Sequence, residues 1–505
     1  MSGQRRPLAE GRGRVALPRA VALVAAGIGL ALGTTHLPAP INLAQVASPH
    51  GADLSHVAPV TQTQSICPGP EALGVQGLPD ASAQTVSVAA VGAPLAALPS
   101  GFVTSPGAGS LTLSGLPLGG AWGPPATAGG HVIVGQISDA RSALVTGAGS
   151  MAPGAVATQW SWTRKGDNRG LVTAACLPAT ASSWLIAGGA APGRLEHLVL
   201  ANPGQNSVTV DLGVFGAKGR ITSPDALGLV VPAQKRTVVL LNAIAGSEPS
   251  PAVHVSTRGG KVAAYLNDTW LDGVVPRGGD DVAPVAAPAR EQVIAGVPVD
   301  GRAILRVAVP GDTEAVVQSR VLTPSGPTPL AVGGVTRVAG GSTRDIDLSS
   351  LPAGAYAVQV IADVPVLAAA MVERSRSTLS PSDMAWSCAT APIKTLAGMA
   401  LPVSGVKGLT ARLNLAATRS PASVRVTTVA AGGQVSTRDV AIGADAVSTM
   451  ALEGVSSVWV TPAAGTVRAA VLTSAADTAG QLLSVTPLTD LTLVTTPWPL
   501  RQMRD

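Results

Sequence analysis

Aromatic side chains are few: the 505 residues include two Phe, two Tyr and eight Trp. The cores must therefore be filled by Val, Leu, Ile and Ala, since apolar residues still make up 46% of the chain. Charged residues are also scarce, at 12% against about a quarter in ordinary soluble domains. Only three cysteines occur, Cys67, Cys176 and Cys388, and none forms a CxxC pair. That removes zinc-ribbon and thioredoxin-like chemistry and suits an exported protein with at most one internal disulfide.

Catalytic signatures are missing too. There is no HExxH and no GxSxG, and the "GAKGR" at 216–220 lacks Walker spacing. Of the six histidines, His36, His50 and His56 fall near the N-terminus, while His131, His197 and His254 are scattered over expected strands. The acids Asp268, Asp272, Asp280 and Asp281 are too spread for a calcium loop and read as a solvated loop between modules. The expectation is a protein that is not an enzyme, with no catalytic residue, metal or cofactor. The pI of 9.4 invites a nucleic-acid reading, but residues 1–36 hold Arg5, Arg6, Arg12, Arg14 and Arg19 against Glu10. That accounts for all but one unit of the net charge of +5. No basic stripe is left for nucleic acid.

What is present begins with that leader. The Arg-rich head, 1–19, precedes an apolar segment, 20–33, of signal-peptide or signal-anchor length. Arginines ahead of the segment place the N-terminus in the cytoplasm and the rest outside. The expected location is the cell membrane, single-pass, with secretion after cleavage as the alternative. Residues 34–62, rich in Pro, Ala and Ser, read as a spacer.

A repeat follows. "NSVTVDLGVFGAKG" from Asn206, "EAVVQSRVLTPSG" from Glu314 and "ASVRVTTVAAGG" from Ala422 match, with a fainter copy, "QTVSVAAVGAP", from Gln84. Val210, Val317 and Val424 stand 107 residues apart, as do Gly219, Gly326 and Gly433. Strands of alternating polarity with frequent turns, repeated at that length, predict an all-β chain of tandem immunoglobulin-like β-sandwich modules, about four, behind an N-terminal transmembrane or signal helix. A propeller, with blades of about 40–50 residues, is the rival. The expected modules are 63–169, which is divergent, then 170–279, 280–382 and 383–505, the last with a C-terminal capping strand. Recurring segments at 170–179, 280–289, 383–392 and 481–490 are each expected to open the module that follows, the last capping the chain.

Cys67 and Cys176 bracket the first module and are expected to pair. The densest polar-aromatic segment holds Trp160 and Trp162, two apart on one strand face, followed by Arg164, Lys165, Asp167, Asn168 and Arg169. Packing of both rings at a module joint is one reading. The other is a glycan or partner surface formed by Trp160, Trp162, Arg164, Asp167, Asn168 and Arg169.

The Arg-rich leader, the early "CPGP", the "GDNRG" and "SWLIAGG" stretch and the "LVLANPG" and "VTVDL" strand pair together resemble an uncharacterised family of exported actinobacterial proteins, classed as a domain of unknown function. The resemblance implies an envelope location and genes near cell-envelope glycosyltransferases, and it brings no catalytic residues. The expected function is a non-enzymatic extracytoplasmic scaffold or accessory protein of the cell envelope. Its expected partners are the inner membrane and envelope proteins or cell-wall glycan. A carbohydrate-binding array is the first alternative, and a β-sandwich hydrolase with a dispersed site the second.

Overall fold

The computed structural model describes residues 58–71, 73–75, 85–105, 107–117, 119–330, 333–375, 380–402, 408–477 and 480–495. The expected head, apolar segment and most of the spacer lie outside them. No helix among the described residues is long and apolar enough to cross a membrane.

The described chain is all-β, because alternation of apolar and polar residues dominates it. In Val208–Gly216, Val208, Val210, Leu212 and Val214 are buried, while Thr209, Asp211 and Gly213 are half-exposed. Val317 in Ala315–Thr323 and Val424 in Ala422–Ala430 are buried at the equivalent point. Gly219, Gly326 and Gly433 all have positive φ with open space around them, so the hairpins need glycine for its backbone.

Four two-layered repeats result. Residues 62–175 form a three-stranded sheet ordered Gln62–Cys67, Ser142–Ala148, Ser110–Leu116. Beside it is a four-stranded sheet ordered Val132–Ile137, Val86–Val91, Val156–Thr163, Gly170–Ala175. Residues 182–282 repeat both orders, with Lys235–Leu240, Arg194–Asn202, Ala263–Asp272 and Val275–Val282 in one sheet. Val208–Gly216, Ala252–Arg258 and Ser182–Ile186 run through the other. In residues 289–388 the long strand Gly354–Arg374 serves both layers. Its first half pairs with Ala289–Val299 and Ala315–Thr323, its second with Arg302–Ala308 and Asp383–Cys388. Residues 397–488 close the series, ending on Leu482–Leu488 beside Val467–Ala475.

Two details differ from the sequence reading. The recurring segments do not open the following module. Gly170–Ala175, Val275–Val282, Asp383–Cys388 and Leu482–Leu488 each hydrogen-bond to the strand just before them, in the sheet of the preceding repeat. A short connection favours that antiparallel neighbour. The faint copy, Val86–Val91, occupies the position of Arg194–Asn202, and the counterpart of Val208–Gly216 is Ser110–Leu116. Alternation marks a strand without saying which one it is.

The repeats are not beads on a string. The core of the second runs on into Leu367, Ala369, Met371 and Trp386 of the third. That of the third takes in Ala416, Val447, Ala470 and Val485 of the fourth. Ala89, Val91 and Val156 of the first pack with Leu396, Val429 and Trp459 of the fourth. Ile66 and Leu144 pack with Val199 and Tyr265, joining first to second. The four repeats thus close into a ring. Its axis is lined by the four closing strands, each packed on the next. At the ends of the described chain Ala58–Pro59 pairs with Val494–Thr495. Cys67 and Cys176 are disulfide-bonded, and Cys388 is a buried free thiol.

Candidate binding site at the axial mouth

Each closing strand is the edge of its sheet, so one row of its backbone groups faces the axis without a ladder partner. Side chains take the place of the ladder. Asp383 is fully buried, and its Oδ2 accepts the N–H groups of Leu171 (3.2 Å) and Leu483 (2.9 Å). Its Oδ1 accepts that of Met384 at 3.0 Å. Gly278 passes so close that a Cβ there would strike Asp383, and its φ is +97°. One carboxylate therefore touches all four closing strands. Burial pushes its pKa well up, while the three backbone donors and the Arg169 charge pull the other way. Asp280 Oδ2 accepts the Trp386 N–H at 2.7 Å, and Ser484 Oγ accepts that of Thr173 at 3.0 Å.

All four closing strands start at the same end of the axis. The segments leading into them, 164–169, 274–276, 381 and 476–477, surround a cavity of about 910 Å³ there. Two sets of charges line it. Arg169, buried, donates to the carbonyls of Ser382 and Gly480 (both 3.0 Å) and sits 3.6 Å from Asp477, so it bolts the first repeat to the third and fourth. Arg164, Lys165 and Asp167 are exposed, and none of them forms an ion pair with a described residue. The Arg164 guanidinium lies 4.2 Å from the centre of the Trp162 ring.

The structure divides the sequence candidates. Trp160 is half-buried against Ala89, Leu396 and Trp459, and Trp162 against Leu171, Leu409 and Leu482, so both rings pack on the fourth repeat. Arg164 and Asp167 line the mouth, whereas Asn168 is exposed beside them without lining it. Arg169 is placed as a structural bolt.

The acids expected in a solvated loop belong to a hairpin, Ala263–Asp272 with Val275–Val282, and Asp268, Asp280 and Asp281 are buried. Their partners come from far along the chain, which spacing cannot reveal. Asp268 accepts from Arg194 Nε (2.8 Å), Trp386 Nε1 (2.6 Å) and the Gly188 N–H (3.1 Å). Burial opposes its ionisation, but Arg194 and these donors hold it below the usual carboxylate range. Glu196 nearby is raised to about 7, chiefly by burial and further by the charge of Asp268. Asp281 accepts from Asn267 (3.0 Å) and from Gln159 of the first repeat (3.1 Å). Sequence reading also missed a contact between Ser182 Oγ and His254 Nε2 at 2.8 Å. It lies on a sheet face where the His254 ring stacks on Trp184, centroids 4.1 Å apart, and Ser182 is exposed. Among the described residues no group of three or more His, Cys, Asp or Glu is placed to hold a metal ion.

Residues 134–453 match the model of a family of unknown function, DUF5719, and the chain belongs to that family. No curated protein matches it significantly. Among solved structures, a Thermotoga maritima protein is 13% identical with a TM-score of 0.18, the match covering 20% of this chain and 93% of the other. A tetra-tandem repeat from the extending region of a large adhesion protein is 14% identical, covering 85% and 100%, with a TM-score of 0.10. A glycoside hydrolase family 32 protein from Bifidobacterium adolescentis is 13% identical, covering 86% and 96%, with a TM-score of 0.13.

Proposed function

We propose that this member of the family is a non-enzymatic extracytoplasmic scaffold of the bacterial cell envelope. On this reading residues 20–33 anchor it in the inner membrane, and its four immunoglobulin-like β-sandwich repeats present the axial mouth to envelope proteins or glycan. The observation that carries the reading is the closure of four repeats into one ring around a buried polar axis. Such a body holds loops from all four repeats in fixed relation, which suits binding better than motion. The Arg-rich leader and the Cys67–Cys176 bond support an oxidising compartment beyond the membrane. Assistance to envelope glycan assembly, in an actinobacterial host, is the role that the sequence resemblance adds.

Two measurements test it. A membrane-impermeant amine reagent should label Lys165 in intact spheroplasts, and labelling only after lysis would place the ring on the wrong side. A photo-crosslinker at position 164 should then capture an envelope enzyme or wall polymer that the same group at exposed Val316 does not. Equal capture at both positions would remove the mouth as the working surface.

A further inference from the structure

We propose that the axial mouth binds an acidic sugar, one carrying a carboxylate or a phosphate. The proposal rests on the binding-scaffold reading and names the ligand chemistry of that same site.

The volume comes first. The cavity, about 910 Å³, lies in the range of sites that engulf a small ligand, about 300–1,000 Å³. It has room for two or three sugar rings and is too small for a folded partner. Charge comes second. Arg169 and Asp477 already face each other, leaving, among the described residues that line the cavity, Arg164 and Lys165 as uncommitted cations against the acid Asp167. The excess is positive, so the ligand should bring negative charge. The third constraint separates a sugar from an acidic peptide. Asp167 and Asp477 line the same cavity as the cations, and an acidic peptide would set its own carboxylates against them. A sugar meets the cations with its acid group and offers hydroxyl donors to the carboxylates.

Recognition follows from the Arg164–Trp162 pair. The Arg164 guanidinium lies 4.2 Å from the centre of the Trp162 ring and is exposed, so its donors can turn to a ligand in the mouth. A planar fork of that kind matches a carboxylate or phosphate two-point contact. Trp162 is itself fixed against Leu171, Leu409 and Leu482, which limits how far Arg164 wanders. Lys165 supplies a second, point-like charge beside it.

The test uses the full chain in detergent and three probes: a galacturonate trimer, glucose 6-phosphate and maltotriose as the neutral control. Calorimetry or chemical-shift titration reads affinity. An acidic probe should bind at least about tenfold more tightly than maltotriose and weaken as salt rises. Arg164→Ala with Lys165→Ala should weaken it by about tenfold or more, and Asp167→Asn should weaken it less. All three positions are exposed, so these variants should melt with the parent. Preference for the trimer or for glucose 6-phosphate tells carboxylate from phosphate. Equal binding of maltotriose, or affinity unchanged in the double variant, overturns the proposal. If neither acidic probe binds while crosslinking from position 164 still captures an envelope protein, the acidic-sugar proposal is wrong and the scaffold reading stands. If acidic probes bind but nothing in the envelope is captured, the scaffold reading fails instead.

Discussion

Two seams of the ring solve one problem differently. Between the second and third repeats the seam is charged. Arg194 and Asp268 form a buried ion pair, Trp386 donates to Asp268, and Glu196 lies alongside. Arg306 of the third repeat donates to the carbonyls of Ala187, Gly188, Pro249 and Pro251 of the second. Between the fourth and first repeats, where distant parts of the chain meet, Arg169 and Asp477 face each other at the mouth, and below them the seam is neutral. Thr173 meets Ser484 (2.8 Å) and Thr486 (2.7 Å) through hydroxyls, and Trp459 Nε1 donates to Gly154 at 3.3 Å. Closing strands touch at both seams; at the first, Arg306 also reaches across to backbone carbonyls of the second repeat, while at the other short hydroxyls suffice. The charged seam gains specificity at a desolvation cost. The neutral one loses little if a single contact is removed.

Asp383 belongs to both seams, and breaking it should have the largest effect. Asp383→Ala leaves the N–H groups of Leu171, Leu483 and Met384 buried without that acceptor, a cost of about 3–6 kcal/mol. Urea unfolding of the full chain should show the whole ring losing stability together. Loss confined to the third repeat would show that the axis does not couple the four.

Next in size is the ion pair. Arg194→Met strands the Asp268 carboxylate and should cost about 3–5 kcal/mol, while Arg194→Met with Asp268→Leu should recover much of it. Recovery is the sharper result, because it separates the worth of the pair from the penalty of a lone charge. Chemical denaturation of the single and double variants measures both.

Glu196 gives the charged seam a pH dependence of its own. Its folded pKa, about 7, lies above its ordinary value of 4.5, so the folded state holds the proton more tightly between those values. The associated stability is full below pH about 4.5 and is lost as pH rises through about 7, on the order of 3 kcal/mol in all. Glu196→Gln keeps an oxygen for the Gly189 N–H (2.8 Å) and should flatten that slope, stabilising the ring most above pH 7. An unchanged slope in melting temperature against pH would point to Asp280 or Asp281 instead. The smallest effect belongs to the neutral seam: Thr173→Val removes the hydroxyl contacts at nearly constant volume and should cost about 1–2 kcal/mol at any pH in that range, read by the same melts.

Local pattern carried the strands. Val210, Val317 and Val424 could be placed inside from spacing alone, because burial on one face of a strand imposes a period of two. Cys67 and Cys176 could likewise be paired because they bracket the first repeat, at the end of its opening strand and just after its closing one. The ring was not legible, since its closure rests on contacts such as Thr173 with Ser484, 311 residues apart. For the same reason Asp268 and Asp280 looked solvated: their partners Arg194 and Trp386 lie on other strands with no shared motif. Asp211 shows the limit at short range. Alternation turns it outward, yet its carboxylate accepts the Gly228 N–H at 2.8 Å and pairs with Arg258. At the mouth, Arg164 and Asp167 were visible as a polar run, but the convergence of four loops that makes them a site was not.

The pairing of Ala58–Pro59 with Val494–Thr495 has a consequence for evolution and engineering. A closed ring whose two ends meet has no privileged first repeat. Joining residue 58 to residue 495 through a short linker, and opening the exposed turn at Gly432–Gly433, would give a circular permutant with every sheet intact. The order in which the repeats are joined could thus change by permutation while the contacts at the axis stay as they are.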